Sequence, residues 1–63
     1  MNAKLTRIKL GLTQRDIIKK TGLSSATIAK IEKNRIDNIT LGTLKKLAAA
    51  LDSTVQELFL NEE

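Results

Sequence analysis

Apolar residues recur at helical spacing in five short stretches of the chain. One is Ala3–Leu10, with Leu5 and Ile8 on one face. The clearest is Leu41–Leu51, which has one apolar face at i, i+3, i+4 and i+7, formed by Leu44, Leu47, Ala48 and Leu51. Because the 63 residues contain no proline and three glycines, the pattern predicts an all-α fold. We expect a compact five-helix bundle that forms a single domain over residues 1–63.

Glycines and hydrogen-bonding side chains predict where the helices begin and end. Gly11 suits a left-handed cap after the first helix, and Gly22 ends the second helix after about Thr21. The third helix is expected to reach about Lys33. The residues suited to cap helix N-termini are Thr13 in a capping box with Asp16, Ser24, Thr40, and Ser53 in a capping box with Gln56.

Charge is distributed unevenly along the chain. Residues 1–46 hold all eleven Lys and Arg and three acids, so their sum is +8, whereas residues 47–63 hold four acids and no base, a sum of −4. This asymmetry favours a polyanionic partner for the first two-thirds of the chain. Lysines that only solvate helices would give the same totals, so charge alone leaves both interpretations open.

Several classes of function are disfavoured by what the composition lacks. Without cysteine or histidine there are no disulfides, no thiolate metal sites and no imidazole base. The seven acids include no clustered pair suited to acid–base catalysis. We therefore expect no enzyme activity, no metal and no cofactor. No apolar run is long enough for a signal peptide or a membrane span, and we expect a cytoplasmic protein that does not associate with membranes.

The segment that begins at Gln14 has the spacing of a helix-turn-helix. Counted from Gln14, the fourth and fifth positions are apolar, the ninth is glycine, and the tenth, fifteenth and eighteenth are apolar; these residues are Ile17, Ile18, Gly22, Leu23, Ile28 and Ile31. Glycine suits the short turn because positive φ is easy only there. With Ile28 and Ile31 inward, the opposite face of the third helix points outward.

Nearly all of residues 3–60 resembles the Cro/repressor class of bacterial and phage DNA-binding proteins, the Xre family. The stretches that carry the resemblance are RIKLGLTQRDIIKKTGLSSATIAKIEK and TLGTLKKLAAALDSTVQELF. Two positions depart from the class, because Ile18 stands where Ala is usual and Thr21 where an apolar residue is usual. The resemblance implies a lambda-repressor-like fold with its helix-turn-helix at helices 2 and 3. It also implies a sequence-specific transcriptional regulator of double-stranded DNA, with repression the default.

In this class helix 3 lies in the major groove of a palindromic operator, which assigns roles to exposed residues. The candidate base contacts are Ser25, Ala26, Ala29 and Lys30. A lysine suits guanine O6 and N7, and alanine methyls suit thymine. The candidate phosphate contacts are Gln14, Arg15, Ser24, Lys33, Arg35, Asn38 and Thr40. For Ser24 a purely capping role is the favoured interpretation.

The resemblance further implies a structural salt bridge and a dimer. It places Arg7 of helix 1 against Glu32 at the end of helix 3 as a partly buried pair. Leu60 remains after Leu58 and Phe59 enter the core, and it is the candidate dimer interface. We expect a homodimer at least on DNA, with any protein effector unknown.

Two alternatives remain open. The first lies within the DNA-binding class, where the chain is either a complete small regulator, such as a Cro-like or controller protein or an antitoxin, or the amino-terminal domain of a larger repressor. The second is a helical protein-interaction module that uses the bundle without DNA. Nucleic-acid binding that falls steeply with salt would separate the DNA-binding interpretations from the last one.

Overall fold

Five helices follow one another along residues 2–60, which the computed structural model describes. They are α1 (Ala3–Lys9), α2 (Gln14–Thr21), α3 (Ser25–Glu32), α4 (Leu41–Ala50) and α5 (Val55–Phe59). Met1 and residues 61–63, with the acidic Glu62 and Glu63, lie outside the described residues. The predicted all-α fold with five helices is confirmed, and no strand occurs between residues 2 and 60.

The helices begin at the side chains that the sequence predicted for α2, α3 and α4. Thr13, Ser24 and Thr40 each accept a hydrogen bond from the backbone N–H three residues further on. At α2 the capping box is complete, because the Asp16 carboxylate also accepts the Thr13 N–H at 2.8 Å. These bonds satisfy donors that a helix N-terminus would otherwise leave without partners.

Two glycines end α1 and α2 in the left-handed region. Gly11 has φ +72° and Gly22 has φ +76°. The Gly22 N–H donates to the Ile18 carbonyl at 2.8 Å, which closes the last turn of α2. Both glycine caps are confirmed, and the second places the turn between α2 and α3 where the motif requires it.

The core forms between α2, α3, α4 and α5. Its largest fully buried side chains are Ile17, Ile28, Ile31, Leu47 and Leu51. α2 packs against both α3 and α4, and α4 packs against α5. The predicted inner faces of α3 and α4 are therefore confirmed. Among residues 2–60 there is no helix whose length and hydropathy would let it cross a bilayer.

α1 turns its smaller residues toward the bundle. Ala3 and Thr6 are buried, whereas Leu5 and Ile8 are 52% and 53% exposed. Leu5 and Ile8, the apolar residues from which this helix was predicted, therefore do not lie on its buried face. The reason is Arg7, whose side chain must point inward to reach an acid on α3, and that requirement fixes the rotation of the helix.

The predicted capping box of Ser53 with Gln56 is wrong, because α5 begins one residue later. Thr54 is the N-cap, and it forms the capping box with Glu57. Ser53 instead belongs to the end of α4, where its N–H donates to the Ala48 carbonyl at 2.8 Å. This bond closes a Schellman motif, so Ser53 is not free to start the next helix.

The corrected cap can be tested by a pair of alanine substitutions. Thr54→Ala is expected to lower the free energy of unfolding by about 1 kcal/mol, because it leaves an N-terminal donor of α5 without its acceptor. Ser53→Ala should cost clearly less, since the Ser53 hydroxyl only donates to the Leu51 carbonyl at 3.2 Å. Urea denaturation measures both. Equal losses, or a larger loss at Ser53, would contradict the assignment.

Candidate nucleic-acid interface

The outward face of α3 combines small side chains with two lysines. Ser25, Ala26, Lys30 and Lys33 are exposed, and Ala29 is half-buried. The opposite face is held by buried isoleucines, so the helix cannot rotate without exposing them. Because the alanines add little bulk, the backbone of α3 can approach another surface closely along this face.

The turn before α3 is fixed by a hydroxyl group. Thr21 Oγ1 donates to the Ile17 carbonyl at 2.8 Å and accepts the Leu23 N–H at 3.1 Å. Leu23, the apolar residue that follows Gly22 in the motif, is half-buried and packs against the core. The polar residue at position 21 therefore has a structural role, because it gives a backbone donor of the turn a partner.

At the start of α3, the hydroxyl group of Ser24 both accepts and donates a hydrogen bond. Ser24 Oγ accepts the Thr27 N–H at 3.1 Å and donates to Thr27 Oγ1 at 3.0 Å. Thr40 makes the equivalent cap at α4, with its Oγ1 2.9 Å from Thr43 Oγ1. At both positions an anion would meet the free backbone N–H groups of the first helical turn.

The far end of α3 is tied to α1 by a partly buried ion pair. Arg7 Nε donates to Glu32 Oε2 at 2.7 Å, and Arg7 Nη2 donates to Glu32 Oε1 at 3.3 Å. The side chains are 12% and 6% exposed. A third guanidinium donor, Nη1, bonds the Leu12 carbonyl at 2.9 Å, so the arginine also holds the turn between α1 and α2. The fork geometry of arginine matches such bidentate contact.

Gln14 joins this pair from α2. Its Nε2 donates to Glu32 Oε1 at 3.0 Å, a contact that the sequence analysis did not predict. Burial alone raises the pKa of Glu32, but hydrogen bonds from Arg7 and Gln14 and the charge of Arg7 more than offset it and hold the pKa below its ordinary value. Glu32 is therefore ionised at neutral pH and bonded to residues of α1 and α2.

The remaining candidate contacts lie at exposed positions around α3. Arg15 follows Gln14 on α2, while Arg35 and Asn38 lie in the loop between α3 and α4. Ile36 and Ile39 pack against the core and are linked by a backbone bond of 3.0 Å, so they anchor that loop. Its polar side chains consequently extend from a fixed backbone.

Leu60 is the candidate position for a dimer interface. Leu60 is 62% exposed and caps the C-terminus of α5. The part of the chain that the structure describes brings no three metal-ligating side chains together.

Two helices joined by a short glycine turn, with the second presenting an exposed, cationic face, define a helix-turn-helix DNA-binding fold. A family model described as helix-turn-helix matches residues 4–58. The chain therefore belongs to the Cro/C1-type (Xre-like) helix-turn-helix family, a family of DNA-binding domains. The family match indicates sequence-specific DNA binding in transcriptional regulation. No curated protein and no solved structure matches the chain.

The ion pair predicts that a single substitution lowers the free energy of unfolding much more than a double substitution does. Arg7→Met is expected to lower the free energy of unfolding by about 3 kcal/mol, because it leaves the Glu32 carboxylate buried without its partner. Adding Glu32→Leu should recover most of that loss, since two apolar residues leave no unpaired charge. Thermal unfolding followed by circular dichroism measures both variants. A double variant no more stable than Arg7→Met would contradict this account.

Proposed function

We propose that this chain acts as a transcriptional repressor that inserts α3 into the major groove of a palindromic operator. The observation that carries the proposal is the outward face of α3, which combines small side chains with lysines. Buried isoleucines on the opposite face of the helix hold it in place. Repression would follow from occlusion of the DNA by the bound protein. A single domain over residues 1–63, acting in the cytoplasm, is part of the same proposal.

Base reading is assigned to the exposed face of α3. Lys30, in the last turn of α3, is the long donor of this helix face, and it would bond guanine O6 and N7. Ala26 and Ala29 would contact thymine methyls, and Ser25 would hydrogen-bond a base edge or a phosphate. With one long polar reader, DNA shape and deformability would contribute much of the specificity.

Phosphate binding is assigned to the surroundings of α3. The cationic contacts would be Arg15, Lys33 and Arg35. Neutral donors would come from Gln14 and Asn38, and from the backbone at the caps Ser24 and Thr40. These contacts would position the protein on the duplex without reading its sequence.

Selection of bound duplexes from random DNA tests this proposal. The selected sites should show two-fold symmetry, with half-sites centred about 34 Å apart or a multiple of that distance. Selection of no sequence above background, together with no salt-dependent binding, would favour a protein-interaction module. An antitoxin that also binds its own operator would pass this test and would then differ by binding a partner protein.

Two substitutions should separate base reading from phosphate binding. Lys30→Ala is expected to relax base preference at one position per half-site, by about 1–3 kcal/mol of discrimination. Arg35→Ala should weaken binding to all sequences alike and lower the salt slope by about 1. Lys45→Ala is the matched control, because Lys45 is exposed on α4 and has no assigned contact. Unchanged preference for Lys30→Ala at every base would remove Lys30 as a reader.

We also propose that Leu60 contributes to a homodimer that forms at least on DNA. An exposed leucine at the end of α5 is suited to pairing two copies. Leu60→Asp is expected to shift sedimentation toward the monomer and to weaken operator binding. Leu5→Asp, at a leucine of similar exposure on α1, is the control. A wild-type monomer at high concentration with and without operator, or a loss of dimer only in Leu5→Asp, would contradict the assignment.

A further inference from the structure

We propose that Gln14 is a positioning residue that couples phosphate binding at the start of α2 to the Arg7–Glu32 ion pair. One amide proton of Gln14 is held by Glu32, and the second is available to a DNA phosphate. The inference rests on the proposed function, because it concerns one of the phosphate contacts assigned there. It adds the reason why that contact depends on residues that do not themselves touch DNA.

The chemistry of the two groups fixes the orientation of the amide. An ionised carboxylate only accepts hydrogen bonds, so the group of Gln14 that faces Glu32 must be Nε2, which lies 3.0 Å from Oε1. A primary amide nitrogen carries two protons, and this contact uses one of them. The exposed position of Gln14 leaves the second accessible to a ligand.

The location of Gln14 makes a phosphate a suitable ligand for that second proton. Gln14 is the first residue of α2, next to the N-cap Thr13. The backbone N–H groups of this turn and the positive end of the helix dipole favour an anion at the same place. A side chain already held by Glu32 loses less conformational freedom when it binds than one that is free in solvent.

The ion pair also removes an electrostatic obstacle. Glu32 lies one hydrogen bond away from Gln14, and an unpaired carboxylate there would repel a phosphate. Arg7 neutralises this charge through its two contacts with Glu32. The buried pair therefore both orients the Gln14 amide, through Glu32, and cancels the charge behind it.

A double-mutant cycle on DNA affinity tests the coupling. Gln14→Met removes the amide at constant length, and the double variant Arg7→Met, Glu32→Leu removes the acceptor that holds Gln14 without leaving an unpaired charge. Gln14→Met should weaken duplex binding about tenfold in the wild-type background and less than about threefold in the Arg7→Met, Glu32→Leu background. Arg15→Met is the matched control, because its effect should be the same in both backgrounds. All affinities are measured at a temperature where circular dichroism shows each variant folded.

The outcomes separate this inference from the proposed function. If the wild type binds DNA and Gln14→Met has the same effect in both backgrounds, Gln14 is an independent contact and the coupling is wrong. If Gln14→Met changes thermal stability but not affinity, its role is structural only and the coupling is again wrong. If the wild type binds no duplex, the proposed function itself fails.

A measurement on the wild type applies even if the Arg7→Met, Glu32→Leu variant does not fold. In the free protein, the side-chain amide resonances of Gln14 should shift with pH at the same midpoint as the Glu32 carboxyl, and addition of duplex should shift them further. Amide resonances of Gln14 that do not shift as Glu32 titrates, or that do not shift when duplex is added, would overturn the proposal.

Discussion

The buried ion pair between Arg7 and Glu32 is the constraint on which the rest of the structure depends. It connects the first helix to the last residue of α3, and through Leu12 it also holds the turn that leads into α2. Among residues 2–60, nine buried apolar residues form the core, so few apolar contacts are available to fix helix orientation. A bidentate ion pair supplies directional contact that apolar packing lacks.

α3 is held at both ends by polar contacts and along its length by apolar ones. At its start, the left-handed Gly22 and the Thr21 hydroxyl determine the turn, and the Ser24 cap begins the helix. At its end, Glu32 is bonded from α1 and α2. The buried isoleucines between these ends prevent rotation. The exposed face of α3 is therefore presented at a fixed angle, which is what reading a groove requires.

The residue pattern could predict local features, whereas the distant contact that was predicted, Arg7 with Glu32, came from the family resemblance. Caps such as Thr13 and the apolar stripe of α4 were predicted because their physical causes act within one or two helical turns. The rotation of α1 was not predicted, because Leu5 and Ile8 are as apolar as core residues. Only the ion pair shows which face of α1 is buried. The Gln14–Glu32 bond joins residues 18 positions apart, so no local pattern marks it. Thr54 was missed because Ser53 is an equally good cap in sequence, and only the end of α4 decides between them.

The most direct test of the central claim is an NMR titration of the labelled protein with a selected duplex. We expect the largest amide shifts at the exposed positions of α3 and at the N-termini of α2 and α4, with smaller shifts at the end of α5, where Leu60 would pair. That pattern would place α3 against the DNA as the proposal requires. Shifts confined to α5 or to the exposed face of α1, with α3 unaffected, would contradict it.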